Sequence, residues 1–532
     1  MKHTLLAIFS IFSCSLFFAQ SALVRGPYLN LGTPNSTVVK WRSTSAEVGV
    51  LKYGTSPSNL SQSLTEDSAV INHEVNVIGL QPSTKYYYSI GTGNTFYTPA
   101  DTSYFFKTSP AAGTAPDTRI WVIGDFGNGS KATIDVKNGF LKNYRDKHTD
   151  LWLWTGDNAY GDGTDSQYQE KVFQVYPEVF KNTTVWPCPG NHDYGSVNLL
   201  NSGPYYDIFT MPKAGEAGGT PSGTEVYYSY DYGDIHFLSL NSEDLVGIIN
   251  SNTTFTQWLR QDLQNNSKKW VIAYWHQPPY TKGSHDSDDN FSRSELTRKN
   301  INPILEEFGC DLILGGHSHG YERSYLIKNH FGKSTSFIFA NNLLNGTNGK
   351  LKDGTPYVKY LAGAKKNHGT VYTVIGCSGQ KGSGNDPLNH PAMFMSTEDY
   401  HGSMVIDISG NNLHARFIDT LGAVLDEFNI VKENSTAIGE TLKYDNGIFL
   451  EAYPNPFKES FTIAFSLEKE EKVRVEIKDT EGRSVEVFDD KVYTSGTHKI
   501  NYTPIKKVSQ GIYLIEVRTA NKLAAKRLVR ME

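Results

Sequence analysis

The sequence predicts a multidomain protein with an N-terminal all-β sandwich, a central α/β domain built as a layered β-sandwich flanked by helices, and a C-terminal all-β sandwich. Three observations predict this. The length of 532 residues exceeds one compact unit and corresponds to about three domains at roughly 100–200 residues each. Both ends carry short strand patterns separated by turn residues. The middle of the chain combines apolar, strand-like runs with segments of helical periodicity, such as residues 254–263.

Composition and charge exclude several classes of protein. The 50 Lys+Arg and 56 Asp+Glu residues give a formal net charge of −6, whereas nucleic-acid-binding proteins carry a basic surplus. With 38% hydrophobic and 20% charged residues, the chain can form packed cores under a solvated surface, which excludes general disorder. The 4 cysteines are too few for a disulfide scaffold and form no CxxC pair, so His, Asp and Asn are the expected ligands of any metal. Cys188, Cys310 and Cys377 are expected to be buried small hydrophobic residues.

Residues 1–20 have the pattern of a secretory signal peptide. Lys2 and His3 provide a short positive start, residues 5–18 are largely apolar, and small and polar residues follow at 19–22. The apolar run is short for a membrane span, which needs about 20 residues. A lipid anchor at Cys14 is the alternative, but the residues after Cys14 stay apolar where an anchored chain normally turns polar. We therefore expect export through the periplasm of a protein without a transmembrane segment.

Residues 23–108 form the first predicted domain. Strand patterns recur with turn residues between them, at 36–41, 48–53, 73–78 and 85–90. Several short strands at regular spacing predict a β-sandwich. Residues 79–88 read Gly-Leu-Gln-Pro-Ser-Thr-Lys-Tyr-Tyr-Tyr and resemble a fibronectin type III domain. Nothing in this domain is a candidate for chemistry, and the stretch at 109–116 is a predicted linker.

Residues 444–532 differ in composition from the rest of the chain. They contain 15 Lys+Arg and 14 Asp+Glu, so 33% of them are charged, against 17% of the preceding residues. Alternating runs such as 461–465 and 473–477 predict an all-β domain. Its Tyr453-Pro-Asn-Pro-Phe457 opening, Asp479-Thr-Glu-Gly482 turn and Gly511-Ile-Tyr-Leu514 strand resemble the C-terminal sorting domain of type IX secretion cargo. The resemblance implies the type IX secretion machinery as a partner; the alternative is a β-sandwich that serves as a spacer or binding module.

The chemistry is expected in residues 117–431, where five apolar runs each end in a polar cluster. Buried sheets need continuous apolar strands, and ligands bind beyond the carboxyl ends of such strands. Five of these strands in one layered sheet would bring all five clusters to one edge. The runs and the residues that follow them are 119–123 with Asp125, 151–154 with Asp157 and Tyr160, 184–186 with Asn191 and His192, 270–275 with His276, and 311–314 with His317 and His319.

The donor atoms in these clusters indicate a pair of metal ions. Oxygen and imidazole donors together suit first-row metals, whereas calcium prefers an all-oxygen shell. Eight donors exceed the needs of one ion and fit two ions that share a bridging carboxylate. Two ions about 3.5–4 Å apart are a standard arrangement for phosphoester hydrolysis. Each motif alone is more often a turn, a cap or a structural histidine, so the prediction rests on all five occurring in this order at strand ends.

The constellation resembles the calcineurin-like metallophosphoesterases. Tyr160, in the pattern Gly-Asp-x-x-Tyr, and the run Gly316-His-Ser-His-Gly-Tyr-Glu-Arg-Ser324 narrow the resemblance to the purple acid phosphatases, and it covers residues 24 to about 430. The resemblance implies a ferric ion held by Asp125, Tyr160 and His319. It implies a divalent ion (zinc, manganese or iron) held by Asn191, His276 and His317, with Asp157 bridging the two. A tyrosinate oxygen is hard and charged, which favours trivalent iron and gives the purple colour.

Two further histidines are predicted to be catalytic. The resemblance implies attack on phosphorus by a metal-bound hydroxide, with His192 bound to the phosphoryl oxygen or leaving group; the alternative is that His192 only orients Asn191 or Asp157. His285 is the weaker candidate for protonating the leaving group, because the family places one or two histidines in this region and here only His285 remains. A second departure is Ala273, where the family has valine, and it should not alter ligation.

The predicted function is that of a secreted or cell-surface acid phosphatase that hydrolyses small phosphate monoesters. One alternative is a phosphodiesterase or nucleotidase on the same two-metal core. The other is a non-catalytic binding protein of the cell surface, which predicts at least one degraded ligand position, and none is found. No nucleic acid is expected as a structural partner.

Overall fold

The computed structural model describes residues 22–145, 147–195, 201–362, 367–434, 448–453, 455, 457, 459–479, 483–503 and 511–530. The predicted signal peptide lies outside these residues. The fold class expected from the sequence is confirmed, because sandwiches at both ends flank a central domain of two sheets and helices.

The N-terminal domain is a sandwich whose strands match the alternating patterns of the sequence. Its strands are β1 (Leu23–Asn30), β2 (Ser36–Glu47), β3 (Gly49–Gly54), β4 (Gln62–Thr65), β5 (Val70–Ile78), β6 (Lys85–Thr92), β7 (Thr95–Phe96) and β8 (Phe105–Lys107). One sheet has the order β4-β3-β6-β7, with β8 on β6, and the other face contains β1, β2 and β5. Val39, Trp41, Leu51 and Tyr88 are buried between them. The alternation of inward apolar and outward polar residues accounts for these strands.

The central domain contributes sixteen strands and nine α-helices among the described residues. Its strands are β9 (Thr118–Ile123), β10 (Leu151–Trp154), β11 (Thr184–Pro187), β12 (Tyr228–Tyr232), β13 (Ile235–Ser239), β14 (Trp270–Tyr274), β15 (Leu312–Gly315), β16 (Tyr321–Ser324), β17 (Leu326–Ile327), β18 (Leu343–Asn345), β19 (Tyr357–Tyr360), β20 (Val371–Ile375), β21 (Met393–Thr397), β22 (Gly402–Ser409), β23 (Asn412–Asp419) and β24 (Val424–Glu433). Its helices are α1 (Lys131–Tyr144), α2 (Asp165–Tyr168), α3 (Pro177–Phe180), α4 (Pro204–Ile208), α5 (Leu245–Ile248), α6 (Thr254–Asn265), α7 (Arg293–Asn300), α8 (Asn302–Glu307) and α9 (Phe339–Asn342).

The five apolar runs do not share one sheet, and this expectation was wrong. Strands β9, β10 and β11 lie in a ten-stranded sheet of order β19-β24-β23-β22-β9-β10-β11-β1-β2-β5, whereas β14 and β15 lie in a seven-stranded sheet of order β12-β13-β14-β15-β20-β16-β21. The physical reason is that strands apolar on both faces need cover on both faces. Ile272 and Tyr274 pack into the core between the sheets, while Val271 and Ala273 pack on the outer side with α6 and α8.

The helix predicted at residues 254–263 is confirmed as α6. Its Phe255, Trp258, Leu259 and Leu263 are buried on one face, as a 3.6-residue period requires. Thr253 begins the helix, because its hydroxyl accepts the N–H of Thr256 at 3.2 Å and so satisfies one of the open donors of the first turn.

The ten-stranded sheet crosses the boundary between the first two domains. Leu29 of β1 pairs in parallel with Thr184 of β11, so the N-terminal strands extend the sheet that carries the first three polar clusters. The cysteine prediction is also confirmed, because Cys188, Cys310 and Cys377 are buried free thiols.

The C-terminal domain is all-β, as predicted. Its strands are β25 (Phe449–Tyr453), β26 (Phe461–Leu467), β27 (Glu471–Lys478), β28 (Ser484–Tyr493), β29 (Gly496–Tyr502), β30 (Gly511–Arg518) and β31 (Leu523–Arg530). They form sheets of order β25-β26-β29 and β28-β27-β30-β31, which enclose Ile463, Phe465, Val473 and Val475. Among the residues that the structure describes, no helix is long and apolar enough to pass through a membrane.

Candidate metal centre

The carboxyl ends of five strands meet where the two sheets face each other. Trp154 of β10 pairs with Ile123 of β9 and with Pro187 of β11, so the loops after these strands leave the sheet at the same level. Asp125 and Asp157 turn out of their strands with positive φ values of 54° and 52°, which non-glycine residues adopt rarely and at functional sites. The strand ends therefore aim both carboxylates at one point.

The first group of candidate ligands is centred on His276. Its Nε2 atom lies 3.1 Å from Oδ1 of Asn191 and 3.2 Å from Oδ1 of Asp157. Nδ1 of His317 lies 3.2 Å from the same Nε2 atom. One ligand atom each of Asp157, His276 and His317 fit within 4.8 Å of one another, which is the spacing that three ligands of a single ion require.

The backbone fixes which nitrogen of His276 faces this group. Nδ1 donates to the carbonyl of Thr155 at 2.9 Å, so Nε2 is the nitrogen that faces the other candidate ligands and would bind a metal ion. A hydrogen bond on the far nitrogen is the usual way in which a protein orients a metal-binding imidazole. Gly156, at φ +92°, makes room for this ring, because a Cβ there would lie 2.5 Å from Nδ1 of His276.

The second group contains Asp125, Tyr160 and His319. The Tyr160 hydroxyl donates to Oδ1 of Asp125 at 3.0 Å, and Nε2 of His319 lies 3.6 Å from the same oxygen. The Tyr160 hydroxyl also contacts Asp157. Asp157 therefore touches members of both groups, as a carboxylate between two ions would.

Charge and burial at this centre fit a pair of cations. Asp125 and Asp157 are both almost wholly buried, and their carboxylates contact N–H groups, the Tyr160 hydroxyl and imidazoles. Burial and then the charges of the two aspartates raise the pKa of Tyr160 far above its ordinary value. Burial alone would lower the pKa of His276, but the Asp157 carboxylate outweighs it and raises that pKa to about 10. Bound cations would supply the positive charge that this set of donors lacks.

The two predicted catalytic histidines also lie at this centre. His192 donates its backbone N–H to Oδ1 of Asp157 at 2.9 Å, and its Nδ1 donates to the carbonyl of Gly161 at 2.5 Å. The side chain of His192 is 38% exposed, and its ring lies against Tyr160 at a centroid distance of 4.4 Å. The ring of His285 stacks on His317, with centroids 4.0 Å apart. Burial and the nearby His276 lower the pKa of His285.

Sequence reasoning missed the residue that joins two of the loops, Asp193. This buried carboxylate accepts the N–H of Gly190 at 2.7 Å, the side-chain amide of Asn158 at 3.0 Å and the hydroxyl of Tyr168 at 2.5 Å. Burial and the charge of Asp157 raise its pKa to about 6. Its place directly after His192 could have indicated the role, but nothing in the sequence links it to Tyr168.

Comparison with known families identifies the three parts of the chain. The sequence matches the calcineurin-like phosphoesterase family over residues 118–321 and the N-terminal domain of purple acid phosphatases over residues 24–108. It matches the C-terminal sorting domain of a secretion system over residues 451–531. The chain is a homologue of the purple acid phosphatases. The predicted resemblance to this family is thus confirmed, while the exact domain boundaries given by the sequence stay predictions.

Individual relatives of the chain agree with that assignment. It is 25% identical over 446 residues to acid phosphatase type 7 of Danio rerio, covering 76% of this chain and 89% of that protein. It is 26% identical over 295 residues to purple acid phosphatase 15 of Arabidopsis thaliana, covering 50% of this chain and 52% of that protein. The solved structure of a purple acid phosphatase from yellow lupin seeds has the same fold, with a TM-score of 0.60 at 18% identity over 79% of this chain and 78% of that chain. Purple acid phosphatases use a dinuclear metal centre.

Proposed function

We propose that the protein is an exported two-metal acid phosphatase that hydrolyses phosphate monoesters. The observation that carries the proposal is the convergence of the seven predicted ligands on one point between the two sheets. They are Asp125, Asp157, Tyr160, Asn191, His276, His317 and His319. The homologous acid phosphatases support the reaction class.

The two groups of side chains differ in the ions that they suit. Asp125, Tyr160 and His319 would hold a ferric ion, since a phenolate and a carboxylate are hard, charged donors. Asn191, His276 and His317 would hold a divalent ion (zinc, manganese or iron), and Asp157 would contact both. When bound, the ions would supply Lewis-acid neutralisation of phosphoryl charge and lower the pKa of bound water.

The protein's own residues would orient the substrate and handle protons. His192 has Nδ1 committed to the Gly161 carbonyl, so its partly exposed Nε2 is available to a phosphoryl oxygen of the substrate. His285, which stacks on His317, would donate a proton to the departing oxygen. Thr155 and Asp193 would keep the ligand loops in place, so that little reorganisation is needed during the reaction.

Export follows from the C-terminal domain, which matches a secretion sorting domain and indicates a secreted or cell-surface location. We further propose that residues 1–20 direct the chain across the inner membrane and are then removed. The partners would be the type IX machinery during export and a small phosphoester at the catalytic centre. Attraction of an anionic substrate would come from the metal centre, since the chain itself carries a net charge of −6.

Metal content and substrate preference together test the proposal. The purified protein should contain two metal ions per chain, absorb visible light, and release phosphate from p-nitrophenyl phosphate faster than it cleaves bis-p-nitrophenyl phosphate. Preference for the diester would favour the phosphodiesterase alternative. Absence of both metal and turnover would favour the non-catalytic binding protein.

A further inference from the structure

His285 lies on the loop between β14 and α7, and residues outside this loop hold it in place. The backbone N–H of Ser284, the residue directly before His285, donates to Oε1 of Glu398 at 3.0 Å. Ser284 uses its hydroxyl oxygen as well, which accepts the N–H of the candidate ligand His319 at 2.9 Å. The two bonds fix Ser284, the residue before His285, relative to the metal centre.

Glu398 directly follows β21 and is only 2% exposed. Its second oxygen, Oε2, accepts the N–H of Gly384 at 3.1 Å, so one carboxylate joins the His285 loop to the glycine-rich loop after β20. That second loop also touches the centre, because Gly382 donates its N–H to the His319 carbonyl at 2.6 Å. A Cβ at Gly382 would lie 2.1 Å from the Glu398 carboxyl carbon, so the loop is shaped around this side chain.

We propose that Glu398 is a positioning residue that holds His285 over the metal centre, where it can protonate the leaving group. This inference rests on the proposed function, and specifically on the acid role of His285. A carboxylate that accepts two backbone N–H groups from separate loops removes much of their freedom to move. Protonation of a leaving group requires hydrogen-bond reach of about 2.6–3.2 Å, so loss of this anchor should affect proton delivery before it affects metal binding.

Substrates with different leaving groups separate proton delivery from the rest of the reaction. Glycerol 2-phosphate releases an alkoxide, which needs a proton, whereas p-nitrophenyl phosphate releases a stable phenolate, which does not. For His285→Asn we expect kcat on glycerol 2-phosphate to fall about 100-fold, at the low end of the usual contribution of a general acid, with a much smaller loss on p-nitrophenyl phosphate. In Glu398→Gln an NH2 group replaces one of the two acceptor oxygens and so faces a backbone N–H that it cannot bind. For this variant we expect a loss about tenfold larger on the alkyl ester than on the aryl ester.

The double variant and a matched control make the test specific. Glu398→Gln added to His285→Asn should cause no further selective loss, and each variant should retain two metal ions per chain. Glu306→Gln is the control, because Glu306 also accepts a backbone N–H, that of Asn329 at 2.6 Å, but is bonded to Tyr372 and not to the His285 loop. It should leave the ratio between the two substrates unchanged.

Several outcomes would overturn the inference. They are equal losses of Glu398→Gln on both substrates, loss of metal from this variant, or additive effects in the double variant. If Glu398→Gln does not fold, Ser284→Ala removes the other anchor of the loop and must show the same selective loss. If His285→Asn affects both substrates equally, there is no acid to position and the inference fails, while two bound metals and monoester turnover in the unaltered protein would still uphold the proposed function.

Discussion

Oδ1 of Asp157 lies 3.2 Å from Nε2 of His276, and the same carboxylate also interacts with Tyr160 of the second ligand group. Replacing Asp157 with Asn removes the charge between the two groups. We expect fewer than two metal ions per chain by elemental analysis and loss of phosphatase activity. Asp262→Asn, at a buried carboxylate bonded to His236 outside the centre, should retain both ions. Two ions retained in Asp157→Asn would contradict the bridging assignment.

The Tyr160→Phe variant tests whether the phenolic oxygen of Tyr160 binds a ferric ion. The variant keeps the ring that packs on His192 but lacks the phenolic oxygen, so the visible absorption should disappear while the circular dichroism spectrum stays unchanged. Tyr194→Phe serves as a control, because the Tyr194 hydroxyl is bonded to Tyr206 at 2.5 Å and not to the centre. A Tyr160→Phe protein that keeps its colour would eliminate the tyrosinate ligand.

Gly190→Ala should damage the centre without changing any donor. A Cβ at Gly190 would lie 2.3 Å from both the backbone nitrogen and Oδ1 of Asp157, so the loop or the carboxylate must move. We expect at least a tenfold fall in kcat/KM for p-nitrophenyl phosphate, since misplacement by about 1 Å is costly to catalysis. Gly332→Ala is the control, because Gly332 lies outside the centre and a Cβ there would lie closest to the Ser336 hydroxyl oxygen, the end of a side chain that can turn away. Equal activity of the two variants would contradict the prediction, because it would mean that the loop moves aside without disturbing the centre.

Stability should fall in mild alkali because of His236. This buried imidazole lies between Asp231 at 2.8 Å and Asp262 at 2.7 Å. Burial alone would lower the pKa of His236, but the hydrogen bonds to both carboxylates outweigh it and raise the pKa from 6.5 to about 9. A raised pKa in the folded state stabilises the protein fully below pH 6.5, and that stabilisation is lost as the pH rises through about 9.

The measurement compares the unaltered protein with His236→Gln. The difference in free energy of unfolding between them should be largest near pH 6 and should shrink by about 3 kcal/mol toward pH 9, at about 1.36 kcal/mol per pKa unit. Urea unfolding at both pH values gives this difference directly. A constant difference from pH 6 to pH 9 would mean that His236 is neutral in the folded protein.

The sequence was sufficient to select the candidate ligands because each one follows a local pattern. An apolar run ending in a polar cluster is visible within about ten residues, as at Trp154 and Asp157. Which strands share a sheet was not predictable, because that depends on pairings between distant segments, such as Leu29 with Thr184. The contacts that anchor the loops could not be predicted for the same reason. Asp193 and Tyr168 are 25 residues apart in the chain, and Ser284 and Glu398 are 114 residues apart.

The pairing of β1 with β11 has a consequence for cooperativity. In the sequence, residues 24–108 match a domain family of their own and so form a separate unit. In space, removal of that unit would leave β11, the strand that leads to Asn191 and His192, as an exposed edge with unpaired backbone groups. We therefore expect the first two domains to unfold in a single transition, and a truncated protein that begins at β9 to aggregate rather than to behave as a minimal enzyme.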